Sequence, residues 1–156
     1  MHKGALQTMP NKIWFDEFPL DLARSVTSGS IMERLGIEIT EAGDDYLCGR
    51  MPVDHRTIQP AGVLHGGASV TLAETLASWG AGCCVDRRAK FCVGQEINAN
   101  HVRAVRKGWV YGIARPLHMG RASHVWEVHI TSDEGKLVCI SRVTLAILDG
   151  PMQLPH

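Results

Sequence analysis

Apolar and polar residues alternate along four stretches in the second half of the chain. In one of them Trp126, Val128 and Ile130 share a face, while the intervening positions are polar. This period of two predicts half-buried strands, and the turn residues between the stretches predict antiparallel connections. The alternating stretches are 91–104, 109–117, 124–132 and 136–148, and the turns that fit hairpins are 106–108 and 133–135.

A different pattern precedes these strands. Residues 66–84 contain no proline and are rich in Ala, Leu, Val, Ser, Thr and Gly, which predicts one long and largely apolar helix. Further upstream, a capping box of Ser30 and Glu33 with a terminal Gly36 predicts a short helix. The remaining predicted elements are a helical turn at 20–24 and two strands at 37–40 and 46–53, joined by a turn at 43–45.

Two strands, one long helix and four more strands predict an α+β fold. We expect a curved antiparallel sheet of five to six strands wrapped around one long central helix. A helix seated in the concave face of such a sheet would need no polar stripe. We expect one domain over 30–149, preceded by a segment over 1–29 with a weak helix and followed by a tail over 150–156.

Composition narrows the class of protein. The chain has 156 residues, of which 45% are hydrophobic and 21% charged, as in one ordinary globular domain. Sixteen basic residues balance sixteen acidic ones, so a broad basic face for nucleic acid is not expected. The five cysteines fit neither a disulfide framework nor a zinc site. No signal or membrane segment is recognisable, and we expect a cytoplasmic protein without a metal ion.

One carboxylate stands within the apolar helix. Glu74 has Leu72, Ala73, Leu76 and Ala77 as its neighbours, and a helix that is apolar nearly all round is expected to be buried. A buried carboxylate is costly unless it is paired or performs chemistry. We therefore interpret Glu74 as a candidate catalytic residue.

The start of the same helix carries Gly66 and Gly67, preceded by His65. A helix N-terminus presents free amides and a partial positive charge, which suits a developing oxyanion. His65 could donate a hydrogen bond to a substrate carbonyl, and Gln59 could supply an amide donor or hold a water. Glu74 would then attack that carbonyl or activate a water.

Gly66 and Glu74 are too far apart to act on one carbonyl from a single helix. They are eight positions apart, which is roughly 12 Å along the axis. Two helices that pack antiparallel about a twofold axis would bring the helix start of one subunit to Glu74 of the other. The scheme predicts at least a dimer, in which Ser78, one turn beyond Glu74, orients the carboxylate or a water.

Four segments form a recognisable set, namely MPVDHRT at 51–57, LHGGAS at 64–69, LAE at 72–74 and EINANH at 96–101. Together they resemble the hotdog-fold acyl-CoA thioesterases of the phenylacetate-pathway and 4-hydroxybenzoyl-CoA type. Within that family the similarity is greatest to bacterial 1,4-dihydroxy-2-naphthoyl-CoA hydrolase-like proteins and the related aryl-carrier-protein proofreading thioesterases. The resemblance runs from about residue 30 to residue 148.

This resemblance implies a hotdog fold and hydrolysis of a thioester. It implies Glu74 as nucleophile or general base and the Gly66 amide as oxyanion donor. His65 and Gln59 would lie near the thioester, with Ser78 behind. It also implies active sites shared across a homodimer interface, usually within a tetramer, and no cofactor beyond the coenzyme A thioester that is the substrate.

Coenzyme A carries several phosphates, so a neutral protein needs placed cations and amides to bind it. The resemblance implies two nucleotide-contacting segments, one at the end of a strand and one in a glycine-containing turn. Gly94 is expected to leave room beside the substrate, while Arg106 and Lys107 are interpreted as solvated turn residues. The two segments comprise His101, Val102, Arg103 and Ala104, and His118, Met119, Gly120, Arg121, Ala122 and Ser123.

Three residues depart from the family pattern. Ala61 stands where phenylalanine is common, Gln95 where an aliphatic residue is usual, and Trp79 adds bulk just after Ser78. These departures leave the catalytic residues unchanged, but they leave the identity of the acyl group open. The choice between coenzyme A and an acyl carrier also stays open.

Two other functions are considered on the same fold. A hotdog hydratase or dehydratase would abstract a proton beside the thioester carbonyl, whereas amides at a helix start opposite a carboxylate suit attack at the carbonyl itself. A non-catalytic acyl-CoA-binding module would tolerate the loss of Glu74. Release of free thiol from an acyl-CoA distinguishes a thioesterase from both.

Overall fold

The computed structural model describes residues 12–25 and 27–151. Most of the tail predicted at 150–156, and the beginning of the segment predicted at 1–29, therefore lie outside the described residues. Within them the chain forms three helices and six strands. The helices are α1 (Leu20–Ser25), α2 (Ile31–Leu35) and α3 (Gly66–Cys83), and the strands are β1 (Glu38–Ala42), β2 (Leu47–Val53), β3 (Lys90–His101), β4 (Gly108–Met119), β5 (Ser123–Ser132) and β6 (Leu137–Asp149).

The six strands form one antiparallel sheet in the order β1, β2, β4, β5, β6, β3. The long helix α3 packs against β2 and against each strand from β3 to β6. One long helix against an antiparallel sheet is the α+β hotdog architecture predicted from the sequence, which is confirmed. The predicted boundaries of the strands differ from the observed ones by no more than three residues.

The strands predicted on either side of the 43–45 turn pair antiparallel as β1 and β2, whereas the hairpins predicted at 106–108 and 133–135 have opposite outcomes. Residues 133–135 join the neighbouring strands β5 and β6, with Gly135 at φ +71°, so this hairpin is confirmed. The hairpin predicted at 106–108 is wrong, because β3 pairs with β6 whereas β4 lies between β2 and β5. Turn residues mark where a chain can reverse, but they do not specify which strand it meets next. Residues 102–107 are a crossover between distant parts of the sheet.

Large side chains of the helix and of the sheet pack closely against glycine residues of the opposite element. Leu76 of α3 is fully buried, and a Cβ at either Gly49 or Gly112 would overlap its side chain. Further along, the fully buried ring of Trp126 lies against Gly80 of the helix. Because interiors are close-packed, sliding the helix would drive these side chains into backbone. These contacts therefore fix the position of α3 along the sheet.

The sheet covers only part of the circumference of α3. An open stripe of Val70, Thr71, Glu74, Thr75 and Ser78 is only partly buried. The expectations of a fully buried glutamate and of a helix without a polar stripe are therefore wrong for the single chain. Packing around most of the circumference makes the helix apolar, and the stripe that remains carries its polar residues.

The short helix α2 contributes to the same cavity as this stripe. Ser30 accepts a hydrogen bond from the Met32 N–H at 3.2 Å, and Gly36 ends the helix at φ +69°. Glu33 accepts from the Gly29 N–H at 2.6 Å, so the second bond of the predicted capping box goes to the residue before the cap. Both helix ends are thereby held in place.

Candidate active site

Glu74 lies near the middle of α3, with its carboxylate against β3. Its Oε1 accepts a hydrogen bond from Ser78 Oγ at 3.1 Å, the pairing expected for side chains one turn apart. A Cβ at Gly94 would overlap the same oxygen. Gly94, which was expected to leave room beside the substrate, leaves room for the carboxylate itself.

A cavity of about 670 Å³, named here the Glu74 cavity, opens on this carboxylate. Its walls come from α2, the open stripe of α3 and β3. Trp79 and Gln95, two of the departures from the family pattern, line the cavity, whereas Ala61 is not part of its wall. Mixed apolar and polar walls around a volume of this size suit a small organic group. The apolar wall also includes Ile31, Met32, Val70 and Ile97.

His65 caps α3. Its backbone is extended, at φ −72° and ψ 132°, and its Nδ1 accepts a hydrogen bond from the Gly67 N–H at 2.8 Å. The Gly67 amide is therefore occupied, and Nε2 is the ring nitrogen left for another contact. The Gly66 N–H finds no acceptor within residues 12–25 and 27–151. It is the amide at the helix start that a ligand can use.

A second cavity, of about 450 Å³, opens at this amide and is named here the Gly66 cavity. Gln59 lines it. A Cβ on Gly66 would lie 2.9 Å from His101 Nε2, so a glycine at this position lets the imidazole approach the helix start. The predicted nucleotide-contacting residues in its wall are His101, Val102, Arg103 and Ala104.

Ser69 is a residue of the Gly66 cavity that the sequence analysis does not identify. Its side chain is 1% exposed and lines the cavity. It stands three positions after Gly66 on the same side of the helix, and helical side chains tilt toward the N-terminus. The spacing of three from Gly66 is the one sequence signal that points to it.

The structure collects the predicted catalytic residues into two groups. Glu74 and Ser78 line the Glu74 cavity, while Gln59 and Gly66 line the other, and the two cavities share no lining residue. Along α3 the two groups are roughly 12 Å apart. Within one chain the predicted catalytic residues therefore lie in two separate groups, which are named here the Glu74 half-site and the Gly66 half-site.

The second predicted nucleotide segment, 118–123, lies toward the other end of the sheet. Ser123 pairs with Ala146 of β6, whereas His101 pairs with Cys139 of the same strand. Seven residues of strand correspond to roughly 23 Å. Within one chain, the two segments that the resemblance implies do not meet at one site.

The cysteine thiols do not compete with the carboxylate as nucleophiles. Burial raises the pKa of Cys83 and of Cys92 to about 11 and that of Cys84 to about 12. Burial also raises the pKa of Cys48 and of Cys139. Because the thiolate is the reactive form, these thiols are poor nucleophiles near neutral pH.

In the described part of the chain, no three His, Cys, Asp or Glu side chains gather in a way that could hold a metal ion. No helix in this part is both long and apolar enough to cross a membrane. The groups that the two cavities present are a carboxylate, a helix amide, an imidazole and hydroxyls, which act together in attack on a carbonyl.

One long helix packed against an antiparallel sheet is the architecture of the hotdog-fold thioesterases. The chain belongs to the thioesterase superfamily, whose family model matches residues 61–139, and it is a thioester hydrolase. The matched range contains both Gly66 and Glu74.

Several proteins that are similar to this chain are named as thioesterases or as a thioester hydrolase. The proofreading thioesterase EntH of Cronobacter sakazakii is 48% identical over 136 residues, covering 87% of this chain and 98% of EntH. The 1,4-dihydroxy-2-naphthoyl-CoA hydrolase of Escherichia coli (strain K12) is 46% identical over 136 residues, covering 87% of this chain and 99% of that enzyme. Among solved structures, a mutant of thioesterase PA1618 from Pseudomonas aeruginosa has a TM-score of 0.87 at 43% identity, covering 88% of this chain and 99% of that one. These relatives favour thioester hydrolysis over the hydratase and the non-catalytic module.

Proposed function

We propose that the protein hydrolyses an acyl thioester of coenzyme A or of an acyl carrier to the free acid and the thiol. Each active site combines Glu74 and Ser78 of one subunit with Gln59, His65 and Gly66 of the other. The observation that carries this proposal is the separation of the two cavities, because one holds the carboxylate and the other holds the open amide. A homodimer, alone or within a tetramer, assembles two complete sites.

The reaction begins with attack on the thioester carbonyl carbon. In one route the Glu74 carboxylate attacks directly and forms a mixed anhydride, which water then hydrolyses; in the other it takes a proton from an attacking water. Both routes place negative charge on the carbonyl oxygen. The Gly66 N–H of the other subunit donates to that oxygen, and the positive end of the helix stabilises it. The carbon–sulfur bond then breaks, and the thiolate leaves and takes up a proton.

Contacts in the Glu74 half-site support a carboxylate that is fixed in position but keeps one oxygen free to react. The hydrogen bond from Ser78 occupies Oε1. The close approach of Gly94 to that same oxygen restricts rotation of the carboxylate. Oε2 makes no hydrogen bond to the described residues and serves as the oxygen that attacks or accepts the proton of water.

Contacts in the Gly66 half-site support hydrogen-bond donors whose positions are fixed before the substrate binds. The Gln59 N–H donates to Val63 O at 2.8 Å, and the Gly62 N–H donates to Gln59 O at 2.8 Å, so both backbone groups of Gln59 are bound in a turn. Its side chain is the part left to face the cavity. The His65 ring is fixed by its cap on the helix. Preorganised donors of this kind lower the barrier because they need no rearrangement when charge develops.

The Glu74 cavity is the proposed acyl site. Trp79 offers a large flat surface, while Gln95 and Glu96 make one side polar. We expect an aromatic acyl group to fit this combination. A hydrolysis screen over benzoyl-, naphthoyl-, short-chain and long-chain acyl-CoAs, with free thiol as the readout, identifies the preferred group.

The sharpest test of the shared site mixes two variants, each of which lacks one half of the site. Glu74→Gln removes the carboxylate from one half-site. Gly66→Pro removes the amide hydrogen from the other, at a first helical position that accepts proline. The extended backbone of His65, at φ −72° and ψ 132°, suits a residue that precedes proline. Each variant alone is expected to keep at most about a hundredth of the wild-type rate.

Random mixing of the two variants is expected to restore about a quarter of the wild-type rate, because half of the dimers are mixed and each mixed dimer has one intact site of two. Differently tagged subunits allow the mixed dimers to be isolated and counted. Isolated mixed dimers that stay inactive would refute a site shared between subunits.

A further inference from the structure

Two turns of the chain repeat one motif, an aspartate followed two residues later by an arginine. In the first, the Arg56 guanidinium donates to both carboxylate oxygens of Asp54, through Nε at 3.1 and 3.2 Å and through Nη2 at 2.7 Å. In the second, Arg88 donates to Asp86 through Nε at 2.7 Å and through Nη2 at 3.2 Å. In each turn the backbone N–H of the arginine also donates to the aspartate, at 2.9 and 3.1 Å. The two pairs are therefore alike in their internal contacts.

The two arginines differ in what their guanidinium groups contact. The Arg88 side chain is 77% exposed, and its Cζ lies 6.0 Å from the centroid of the Phe15 ring. The Arg56 side chain is 36% exposed, and its guanidinium lies against Gly36, the residue that ends α2. A Cβ at Gly36 would stand 2.7 Å from Nη1 and 3.1 Å from Cζ. Arg56 is therefore packed onto a helix end, whereas Arg88 is largely in solvent.

The helix that Arg56 contacts is short and loosely packed. α2 has five residues, and a helix of this length is not stable without packing. Met32 is buried and Leu35 packs partly against the core, but no helix or strand of the described chain packs its backbone closely against α2. The carbonyls at a helix end carry partial negative charge, which favours a neighbouring cation. Arg56 therefore adds a contact that fixes the end of this helix.

The turn that carries Arg56 is held in place by hydrogen bonds on both sides. The buried Thr57 hydroxyl donates to Pro52 O at 2.7 Å and accepts from the Asp54 N–H at 3.1 Å. The Thr57 carbonyl accepts from the His65 N–H at 2.8 Å, which joins the turn to the cap of α3. Hydrogen bonds from Arg56 lower the pKa of Asp54 to about 2, so the pair is ionised at neutral pH. The guanidinium is therefore held at a fixed position.

The start of α2 faces the Glu74 cavity. Ser30, which caps the helix, and Ile31 and Met32 of its first turn line that cavity. Because a helix of five residues is only roughly 8 Å long, a shift at Gly36 also moves the first turn. A change in the position of α2 therefore alters the space that the proposed acyl site offers.

We propose that Arg56 is a positioning residue, which holds α2 as a wall of the Glu74 cavity and thereby determines which acyl groups the cavity accepts. This proposal rests on the proposed function and gives Arg56 no part in the chemical step. An acyl group that fills the cavity contacts the α2 wall, whereas an acetyl group is too small to depend on it. Loss of Arg56 should weaken the binding of large acyl groups and leave the reaction of the bound thioester unchanged.

The test compares the two arginines. Arg56→Gln removes the guanidinium from the end of α2, and the matched control, Arg88→Gln, breaks the same motif away from both cavities. The N–H groups of Gly36 and Ile37 donate to carbonyls of α2, so their hydrogen exchange reports on the end of this helix without any substrate. We expect exchange about fivefold faster in Arg56→Gln, as the loss of an exposed charged contact allows, and the wild-type rate in the control.

Hydrolysis of benzoyl-CoA and of acetyl-CoA measures the consequence for the acyl site. Arg56→Gln is expected to raise KM for benzoyl-CoA about tenfold, the effect of one missing methylene contact in an apolar pocket. Its kcat, its KM for acetyl-CoA and all constants of the control should be unchanged. Arg56→Lys keeps the charge but not the two-point contact with Asp54, and we expect its KM for benzoyl-CoA to be intermediate.

Three results would overturn the proposal. Unchanged exchange in Arg56→Gln means that the guanidinium does not hold α2. Faster exchange with an unchanged KM for benzoyl-CoA means that the α2 wall does not act on the acyl group, and an equal rise in KM for both thioesters places the effect outside the acyl site. If wild type hydrolyses neither thioester, the proposed function fails, while the exchange rates still decide whether Arg56 positions α2.

Discussion

The two half-sites of α3 differ in whether a side chain or the main chain carries the proposed chemistry. In the Glu74 half-site the proposed group is a side-chain carboxylate, which accepts a hydrogen bond from the Ser78 hydroxyl at 3.1 Å. In the Gly66 half-site the proposed group is a helix amide of the main chain, which the His65 cap leaves open. A side-chain function is lost by changing the residue type. A main-chain function survives most substitutions and is lost only when the N–H itself is removed.

The largest effect is expected from the side-chain half. Glu74→Gln keeps the size of the side chain and can still accept a hydrogen bond from Ser78, but it removes the base or nucleophile. We expect kcat to fall about a thousandfold, with little change in the affinity for an acyl-CoA. Thiol release measures kcat, and a thermal melt checks that the fold is retained. A variant with a tenth of the wild-type rate would remove Glu74 from the mechanism.

Next in size is a pair of substitutions in the main-chain half. Gly66→Pro and Gly66→Ala both add a Cβ, which would stand 2.9 Å from His101 Nε2, but only proline removes the amide hydrogen. We expect kcat to fall about a hundredfold for proline, the effect of losing one oxyanion donor, and less than tenfold for alanine. Equal losses in the two variants would mean that space, and not the amide, limits the reaction.

The same contrast separates what the sequence predicts about the fold from what it does not. Strand alternation and the proline-free stretch that becomes α3 are local patterns, and they located the elements to within a few residues. The strand that follows the 106–108 turn is not a local property, so β4 was assigned the wrong neighbour. The partial exposure of Glu74 is likewise not a local property, because the side of α3 that the sheet leaves uncovered depends on three-dimensional packing.

The site residues also divide into those that local sequence spacing locates and those whose contacts only the fold creates. The carboxylate and Ser78 were located by helical spacing, and their 3.1 Å hydrogen bond follows that spacing. The approach of His101 to Gly66 joins β3 to the start of α3, and no sequence period encodes such a contact. The Gly67 amide was expected to be free, but the preceding His65 ring occupies it. Side-chain caps of this kind are geometric and have to be seen in the structure.

A smaller effect is expected from Ser69, whose side chain lines the Gly66 cavity. If that hydroxyl adds a donor near the carbonyl oxygen, Ser69→Ala lowers kcat about tenfold and leaves KM unchanged. The matched control is Ser141→Ala, which removes a hydroxyl from a serine that is also 1% exposed but lies outside both cavities. An unchanged kcat in Ser69→Ala, measured beside this control, would leave the Gly66 half-site dependent on its main chain.

The smallest effect is expected at His124, which belongs to neither half-site. Its substitution should change the pH dependence of stability and leave catalysis unchanged. His124 is 3% exposed, and no hydrogen bond to its Nδ1 exists within the described residues. Burial, and after it the charge of His118, lowers its pKa from the ordinary 6.5. The unfolded chain therefore takes up a proton at this histidine at a higher pH than the folded chain does.

Stability should therefore be fully present above about pH 6.5 and fall as the pH drops toward the lowered pKa of the folded state. Urea unfolding of wild type and His124→Leu across this range measures the effect, since leucine has a similar volume and cannot titrate. The pH dependence of unfolding is expected to be shallower in the variant, while the pH dependence of kcat stays the same because His124 lies outside both cavities. Parallel unfolding profiles would assign the acid sensitivity of the fold to other groups. An altered kcat profile would show that the surroundings of His124 in β5 are coupled to the half-sites.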